Sequence, residues 1–289
     1  MQIHFLQIIW GDAIILKDGD RVGMIDTGEE KHFEQIRDYL NGLGVQKLDF
    51  ILLTHFHLDH YGSLKKLVEN FQVEKVYFKE YSALDKSTAG GKVADDEYRN
   101  RETAIWMDIK GAIDKFSQYV RVEETKTVPF GNNELKLFRN ENIVRKVYED
   151  SSVPESYHTI TLAENHNSLA AFLKVNGVNI LFGGDIVDGP TIHPMSSYGN
   201  YQIASELNEE LDIYKVPHHG TRYCNEDKTL DIYKPKIAVV TNEEDYIKNS
   251  SSVYDDLKRV NENVKLLFTE KHNVVLTITD DGEIISEEI

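Results

Sequence analysis

Histidines 55, 57 and 60 and Asp59 stand within six residues in the run Thr54-His55-Phe56-His57-Leu58-Asp59-His60-Tyr61-Gly62. Imidazole nitrogens and carboxylate oxygens are the donors preferred by zinc and its first-row neighbours, so the chemistry offered here is metal binding. The cluster follows the apolar run Phe50-Ile51-Leu52-Leu53, and Leu48 to Thr54 reads as a buried strand that ends where the histidines begin. Alternate residues of a strand point the same way, so His55 and His57 can grip one ion together. Asp59 and His60 follow the bend and are free to face a second ion.

Three later positions carry the same donor types. Asp185 follows Ile180-Leu181-Phe182-Gly183-Gly184, His218-His219-Gly220 follows a strand over 213–216, and His166 lies in Glu164-Asn165-His166-Asn167-Ser168. Taken singly, Asp185 could be a turn former, the paired histidines a capped surface turn, and His166 an ordinary loop residue. Each nevertheless stands at a strand terminus, as the first cluster does, and convergent strand ends are where such a fold would place a site.

The elements that must position these groups can be read from periodicity and turn residues. Short strands are expected at Ile3 to Ile9, Ala13 to Leu16 and Val22 to Ile25, with a helix through Phe33, Ile36, Tyr39 and Leu40 closed by Gly42 and Gly44. A helix at about 63–71 and a strand at 75–78 follow the metal strand. Residues 82–104 are polar, without apolar period, and read as a lid or substrate-binding insertion. A helix is expected over 105–119, strands and hairpins over 120–148 with Pro129 in a turn, and a strand at 158–163. Strands at 169–175 and 178–182 should form a hairpin about Asn176-Gly177. A helix near 202–210, strands at 236–241, 264–268 and 273–279, and a helix at 251–260 complete the pattern. Two runs of strands, each followed by helices, imply two sheets packed face to face with helices outside. This is an α+β chain with layer order αββα, read as one domain over 1–289.

Composition narrows the partners. The net charge is −17, from 49 acidic against 32 basic residues, which opposes a broad nucleic-acid face because nonspecific binding is carried by Lys and Arg on phosphates. A small substrate, or a neutral or cationic partner, is expected instead. No run approaches the ~20 apolar residues of a membrane span, and the start lacks the basic region of a signal peptide. The single cysteine, Cys224, rules out an internal disulfide, suits a cytoplasmic location, and reads as a bystander in a polar loop. The oligomeric state is left open.

The Thr-His-x-His-x-Asp-His-x-Gly run resembles the signature of the metallo-β-lactamase superfamily, whose fold is the four-layer αββα sandwich. The segments Leu6 to Ala13, Ile25-Asp26-Thr27-Gly28, Asn167-Ser168-Leu169, Gly184-Asp185 and Val216-Pro217-His218-His219-Gly220 are together similar to one branch. That branch comprises the soluble hydrolase domain of bacterial competence (ComEC-like) proteins and free-standing relatives, phosphorylcholine esterases among them. The resemblance implies that His55, His57 and His166 hold one metal, that Asp59, His60 and His219 hold the other, and that Asp185 bridges them. The first site is completed either by His166 or by an open position. Asp26 resembles a buried structural aspartate and is given no chemical role.

The activity so implied is that of a dinuclear hydrolase, with two divalent ions (zinc, with manganese as the alternative) and a bridging hydroxide attacking a phosphodiester or small phosphate ester. Asp59 and His218 are the expected catalytic side chains. His218 either donates to a phosphoryl oxygen or leaving group, or orients His219 or Asp185. His57 stands where the oxygen-reducing di-iron relatives carry glutamate, which favours hydrolysis over redox chemistry. The alternatives are a nuclease, a β-lactam or lactone hydrolase, and a metal-binding module without turnover.

Overall fold

The computed structural model describes residues 1–81, 96–139 (96–99 as backbone), 164–165, 167–188, 199–221 and 224–289. One mixed sheet comprises β1 (Gln2–Phe5), β2 (Ile14–Asp18), β3 (Arg21–Ile25), β4 (Lys47–Leu52), β5 (Gln72–Phe78), β6 (Gln118–Arg121), β14 (Val274–Ile278) and β15 (Ile284–Glu288). Its order is β15-β14-β1-β2-β3-β4-β5-β6. The second comprises β7 (Lys126–Phe130), β8 (Asn133–Phe138), β9 (Ala170–Val175), β10 (Val178–Phe182), β11 (Ile213–Lys215), β12 (Ile237–Val240) and β13 (Lys265–Phe268), in the order β13-β12-β11-β10-β9-β8-β7. In each sheet one half is antiparallel and the other parallel: β3 through β6 in the first, β10 through β13 in the second. Parallel neighbours bring their carboxyl ends to one edge, and the candidate ligands follow those ends.

Three apolar layers hold the four structural layers together. Between the sheets lie Ile3, Phe5, Phe50 and Leu52 from the first and Leu137, Leu173, Ile180 and Phe182 from the second, all buried. Alternation along the strands sends the other side chains outward, where Ile51, Leu53 and Val76 meet α1 (Phe33–Gly42), α3 (Leu64–Asn70) and α4 (Asp96–Phe116). On the far face Leu181, Tyr214 and Val240 meet α5 (Asn200–Leu207), α6 (Asp227–Tyr233), α7 (Glu244–Ser250) and α8 (Val253–Val260). Each of these helices buries one stripe and leaves the rest to water. The αββα reading from sequence is the observed architecture.

The Asn176-Gly177 hairpin forms as expected, with both turn residues at positive φ (50° and 83°) and Val175 opposite Val178. Several boundaries differ. The helix read as starting at 105 begins at Asp96, inside the stretch read as a polar loop, because its first turns are charged and carry no apolar stripe to reveal them. Residues 82–95 of the expected lid, the strand at 158–163, and His166 lie outside the described residues. Pro129 sits within β7 rather than in a turn; β7 is an edge strand, where the missing N–H is tolerated. The helices at 227–233 and 244–250 and the final strand were not read from sequence.

His4 on β1 is buried beneath α1, its Nδ1 3.0 Å from the Tyr39 hydroxyl. Burial first, and then the Lys17 charge, push its pKa down from 6.5 to about 4. The folded state thus binds fewer protons than the unfolded chain between those values. Stability is full above the unfolded pKa and falls as pH drops toward 4. Between pH 7 and 5 this one group is expected to remove about 2 kcal/mol. His4→Gln should lose correspondingly less over that interval in urea titrations at the two pH values; equal losses would show that His4 is not responsible.

Candidate metal centre

The chain leaves β4 at Leu52 and bends at His55, and the extended His57 (φ −113°, ψ 149°) then leads into a short helix, α2 (Leu58–Tyr61). The strand itself stops short of both histidines, but the bend still leaves them together, with His55 Nε2 3.0 Å from His57 Nδ1. The α2 turn swings Asp59 and His60 to a second position. Asp185 arrives from the end of β10, past Gly184, whose φ of +53° and position 2.4 Å (as a Cβ) from the Ser168 hydroxyl leave no room for a side chain. His219 arrives from β11 through three successive left-handed residues, His218 (φ 49°), His219 (φ 52°) and Gly220 (φ 73°). For the two histidines that conformation costs roughly 1–2 kcal/mol each. Strain of this kind persists where surrounding structure imposes it, characteristically at functional sites.

These pieces converge on a regular figure. His60 Nε2 lies 3.3 Å from His219 Nε2 and 3.3 Å from Asp185 Oδ1. Asp59 Oδ2 lies 3.4 Å from His60 Nε2 and 3.3 Å from His219 Nε2, and His219 Nε2 is 3.4 Å from Asp185 Oδ1. A tetrahedron with zinc–ligand bonds of 2.0–2.1 Å has edges of about 3.3–3.4 Å. Each of these five donor separations is as short as an edge of such a tetrahedron. The other oxygen of Asp185, Oδ2, faces His55 Nε2 at 3.6 Å, beside His57. One carboxylate therefore addresses both groups of histidines.

The far nitrogens decide which lone pairs face inward. His60 Nδ1 is 2.8 Å from Asp26 Oδ2, and Asp26 also accepts from the Thr54 amide (2.8 Å) and hydroxyl (2.7 Å). His219 Nδ1 is 2.9 Å from the Thr241 hydroxyl, which donates to Asp12 Oδ1 at 2.8 Å. Asp12 is in turn ion-paired with the fully buried Lys215. With Nδ1–H committed outward on both rings, both Nε2 lone pairs point at each other and at two carboxylate oxygens. Four lone pairs at that separation call for a cation between them.

The electrostatics agree. Burial opposes the charged ring of His60, but the carboxylates of Asp185, Asp26 and Asp59 outweigh it and hold its pKa well above the usual value. His219 is likewise pushed up to about 10 by Asp185 and Asp12 against burial. Asp59 and Asp185 sit below the carboxylate range despite burial, because His60 and His219 face them. Burial lowers the pKa of His55, of His57 and of His218. Neutral imidazoles are the form in which histidine binds metal.

Two groups could hold an ion on proximity alone: Asp12, His60, Asp185 and His219, and His55, His57 and Asp185. Within the first, Asp12 stands on the Nδ1 side of His219, 3.4 Å away, whereas Asp59 stands on the Nε2 side. Asp12 thus lies behind the His219 ring, and Asp59 in front of it. Sequence reading gave Asp12 no place at the site beyond its membership of the Leu6 to Ala13 segment, whereas Asp26, read as a buried structural aspartate, is buried and holds His60. Both are carboxylates at the end of a short loop or strand, a signal indistinguishable from turn formers. His218 is anchored at both nitrogens, Nδ1 by Thr221 (2.6 Å) and Nε2 by the Asn165 side chain (3.2 Å). Cys224 is buried, and burial pushes its thiol well above the ordinary thiol range. Among the described residues no helix is long and apolar enough to cross a membrane.

Comparison with known proteins bears on the same arrangement. The family model described as "Metallo-beta-lactamase superfamily" matches residues 11–240. No curated protein matches the sequence. Among solved structures, the metallo-beta-lactamase fold protein YhfI of Bacillus subtilis aligns over 99% of this chain and 99% of its own, with a TM-score of 0.56 and 8% identity. A putative metallo-beta-lactamase of Thermotoga maritima aligns over 74% and 95%, with a TM-score of 0.43 and 17% identity. At 8% identity the likeness to YhfI is one of fold, while the family match spans most of the chain and every described candidate ligand. The chain belongs to the metallo-beta-lactamase superfamily.

Proposed function

We propose that the protein is a dinuclear metal-dependent hydrolase acting on a phosphodiester or small phosphate ester, of the competence-protein (ComEC-like) hydrolase branch. The observation that carries the metal assignment is the set of five tetrahedron-like separations among Asp59, His60, Asp185 and His219. Asp59, His60 and His219 would hold one ion, His55 and His57 with His166 or an open position the other, and Asp185 would bridge. The donor set of imidazoles and carboxylates suits zinc, with manganese as the alternative. Bound ions would supply Lewis acidity to a water and to the phosphoryl oxygens.

The chain's own residues then hold and orient. Asp26 and the Thr241–Asp12–Lys215 chain fix the tautomers and planes of His60 and His219, so their Nε2 atoms remain available as ligands. Both nitrogens of His218 are engaged, by Asn165 and Thr221, which favours its reading as a support that orients the neighbouring His219 or Asp185 over that of a substrate donor. The phosphate-ester reading rests on the resemblance of the loop segments. An excess of acidic residues supports a small substrate over nucleic acid.

The expected result is that metal analysis returns two divalent ions per chain and that bis-p-nitrophenyl phosphate is turned over. Excess chelator should abolish turnover and lower thermal stability, by about 4 kcal/mol where free metal had stood at 1,000 times its Kd. Full metal content without turnover of any phosphate ester would overturn the phosphate-ester reading, and absence of β-lactam and lactone turnover as well would leave a binding module instead.

A further inference from the structure

We infer that the exposed indole of Trp10 is a platform for a planar, uncharged ring carried by the substrate next to its phosphate. This rests on the phosphate-ester reading above and specifies the substrate of that same site. The position of the mouth comes from burial. His55, His60, Asp185 and His219 are buried, whereas His57 is half-buried and the Asp59 side chain is 30% exposed, so water and substrate reach the cluster along the His57–Asp59 turn. Two of the large apolar side chains exposed on this molecule flank that opening in sequence: Leu58, at 53%, precedes Asp59, and Trp10, at 41%, precedes Gly11-Asp12.

The Trp10 segment is built into the site. Gly11 packs so closely on Asp59 that a Cβ there would stand 2.8 Å from the Asp59 carbonyl oxygen, and the Asp12 amide donates to that same oxygen at 3.2 Å. The Trp10 amide donates to the carbonyl of Thr241, the residue whose hydroxyl holds His219. Trp10 itself has φ +57°, which is unfavourable for a bulky residue, and it meets the Tyr246 ring edge-on at 4.8 Å. A strained backbone with an indole held at one edge and left open to solvent is an arrangement suited to stacking. Glu243 and Asp245 beside Tyr246 are exposed, so a second anionic group on the ligand would be repelled.

The test measures affinity rather than turnover. The metal-loaded enzyme is titrated by calorimetry with methylphosphonate, phenylphosphonate and 2-(trimethylammonio)ethylphosphonate, and the same is done for Trp10→Gly and Trp10→Phe. Glycine accepts the positive φ, so its variant removes the ring without adding backbone strain. Phenylphosphonate is expected to bind roughly tenfold tighter than methylphosphonate, with the preference lost in Trp10→Gly and largely kept in Trp10→Phe. Because Trp106 is buried, quenching of the exposed indole by phenylphosphonate gives an independent readout. Equal binding of the phenyl and methyl ligands, or a preference untouched by Trp10→Gly, overturns the platform. A stronger preference for the ammonium ligand overturns its assignment to an uncharged ring. Trp10-dependent phenyl binding in a protein that hydrolyses no phosphate ester would retain the platform and remove the hydrolase reading.

Discussion

Asp185→Asn is expected to leave the protein folded, to reduce bound metal from two ions to one or none, and to lower phosphodiester turnover by roughly a thousandfold or more. The reason is the division of its two oxygens. Oδ1 lies 3.3 and 3.4 Å from the Nε2 atoms of His60 and His219, and Oδ2 faces His55 Nε2 at 3.6 Å. An amide keeps the shape but presents one weaker oxygen and one N–H, so it cannot serve two cations. The backbone should tolerate the change, because the Asp185 amide still donates to the Ser168 hydroxyl oxygen (3.0 Å). Metal content by elemental analysis, far-ultraviolet circular dichroism and turnover check the three parts together. Two ions and full activity in the variant would refute the bridging role.

The second large effect belongs to the buried ion pair behind His219. Lys215 and Asp12 are both essentially excluded from solvent and contact one another. Lys215→Met is expected to destabilise the protein by about 3–5 kcal/mol, since it strands a carboxylate without its cation in the interior. The double variant Lys215→Met/Asp12→Asn should recover most of that loss, because both charges are then gone and the remaining hydrogen bond from Thr241 can still be accepted. Recovered stability should not restore function. His219 would keep the Thr241 hydroxyl but lose the carboxylate behind it, and weakening of this kind typically lowers metal affinity by roughly 10–100-fold. Denaturant unfolding of the metal-free forms, alongside metal titration, separates the two consequences. Additive losses in the double variant would mean that the pair acts as two unrelated residues.

The sequence determined the local part of this protein. Three histidines and an aspartate packed into six positions after an apolar strand form a donor set suited to metal, and His55 and His57, two positions apart, keep their ring nitrogens within 3.0 Å across the bend at His55. Binary patterning likewise revealed two sheets with helices outside, because burial on one face leaves its period in the chain. Where no period is required, the reading failed: the charged start of α4, and Pro129 within an edge strand, obey rules set by solvent exposure rather than by alternation. Tertiary structure alone decided which distant residues share the site. Asp12 and Thr241 are 229 positions apart and Asp26 and His60 34, yet each pair lies within 2.8 Å. Such contacts arise because parallel strands deliver their carboxyl ends to one edge of each sheet. Neighbours across that edge are chosen by strand order, and strand order leaves no mark on the residues themselves.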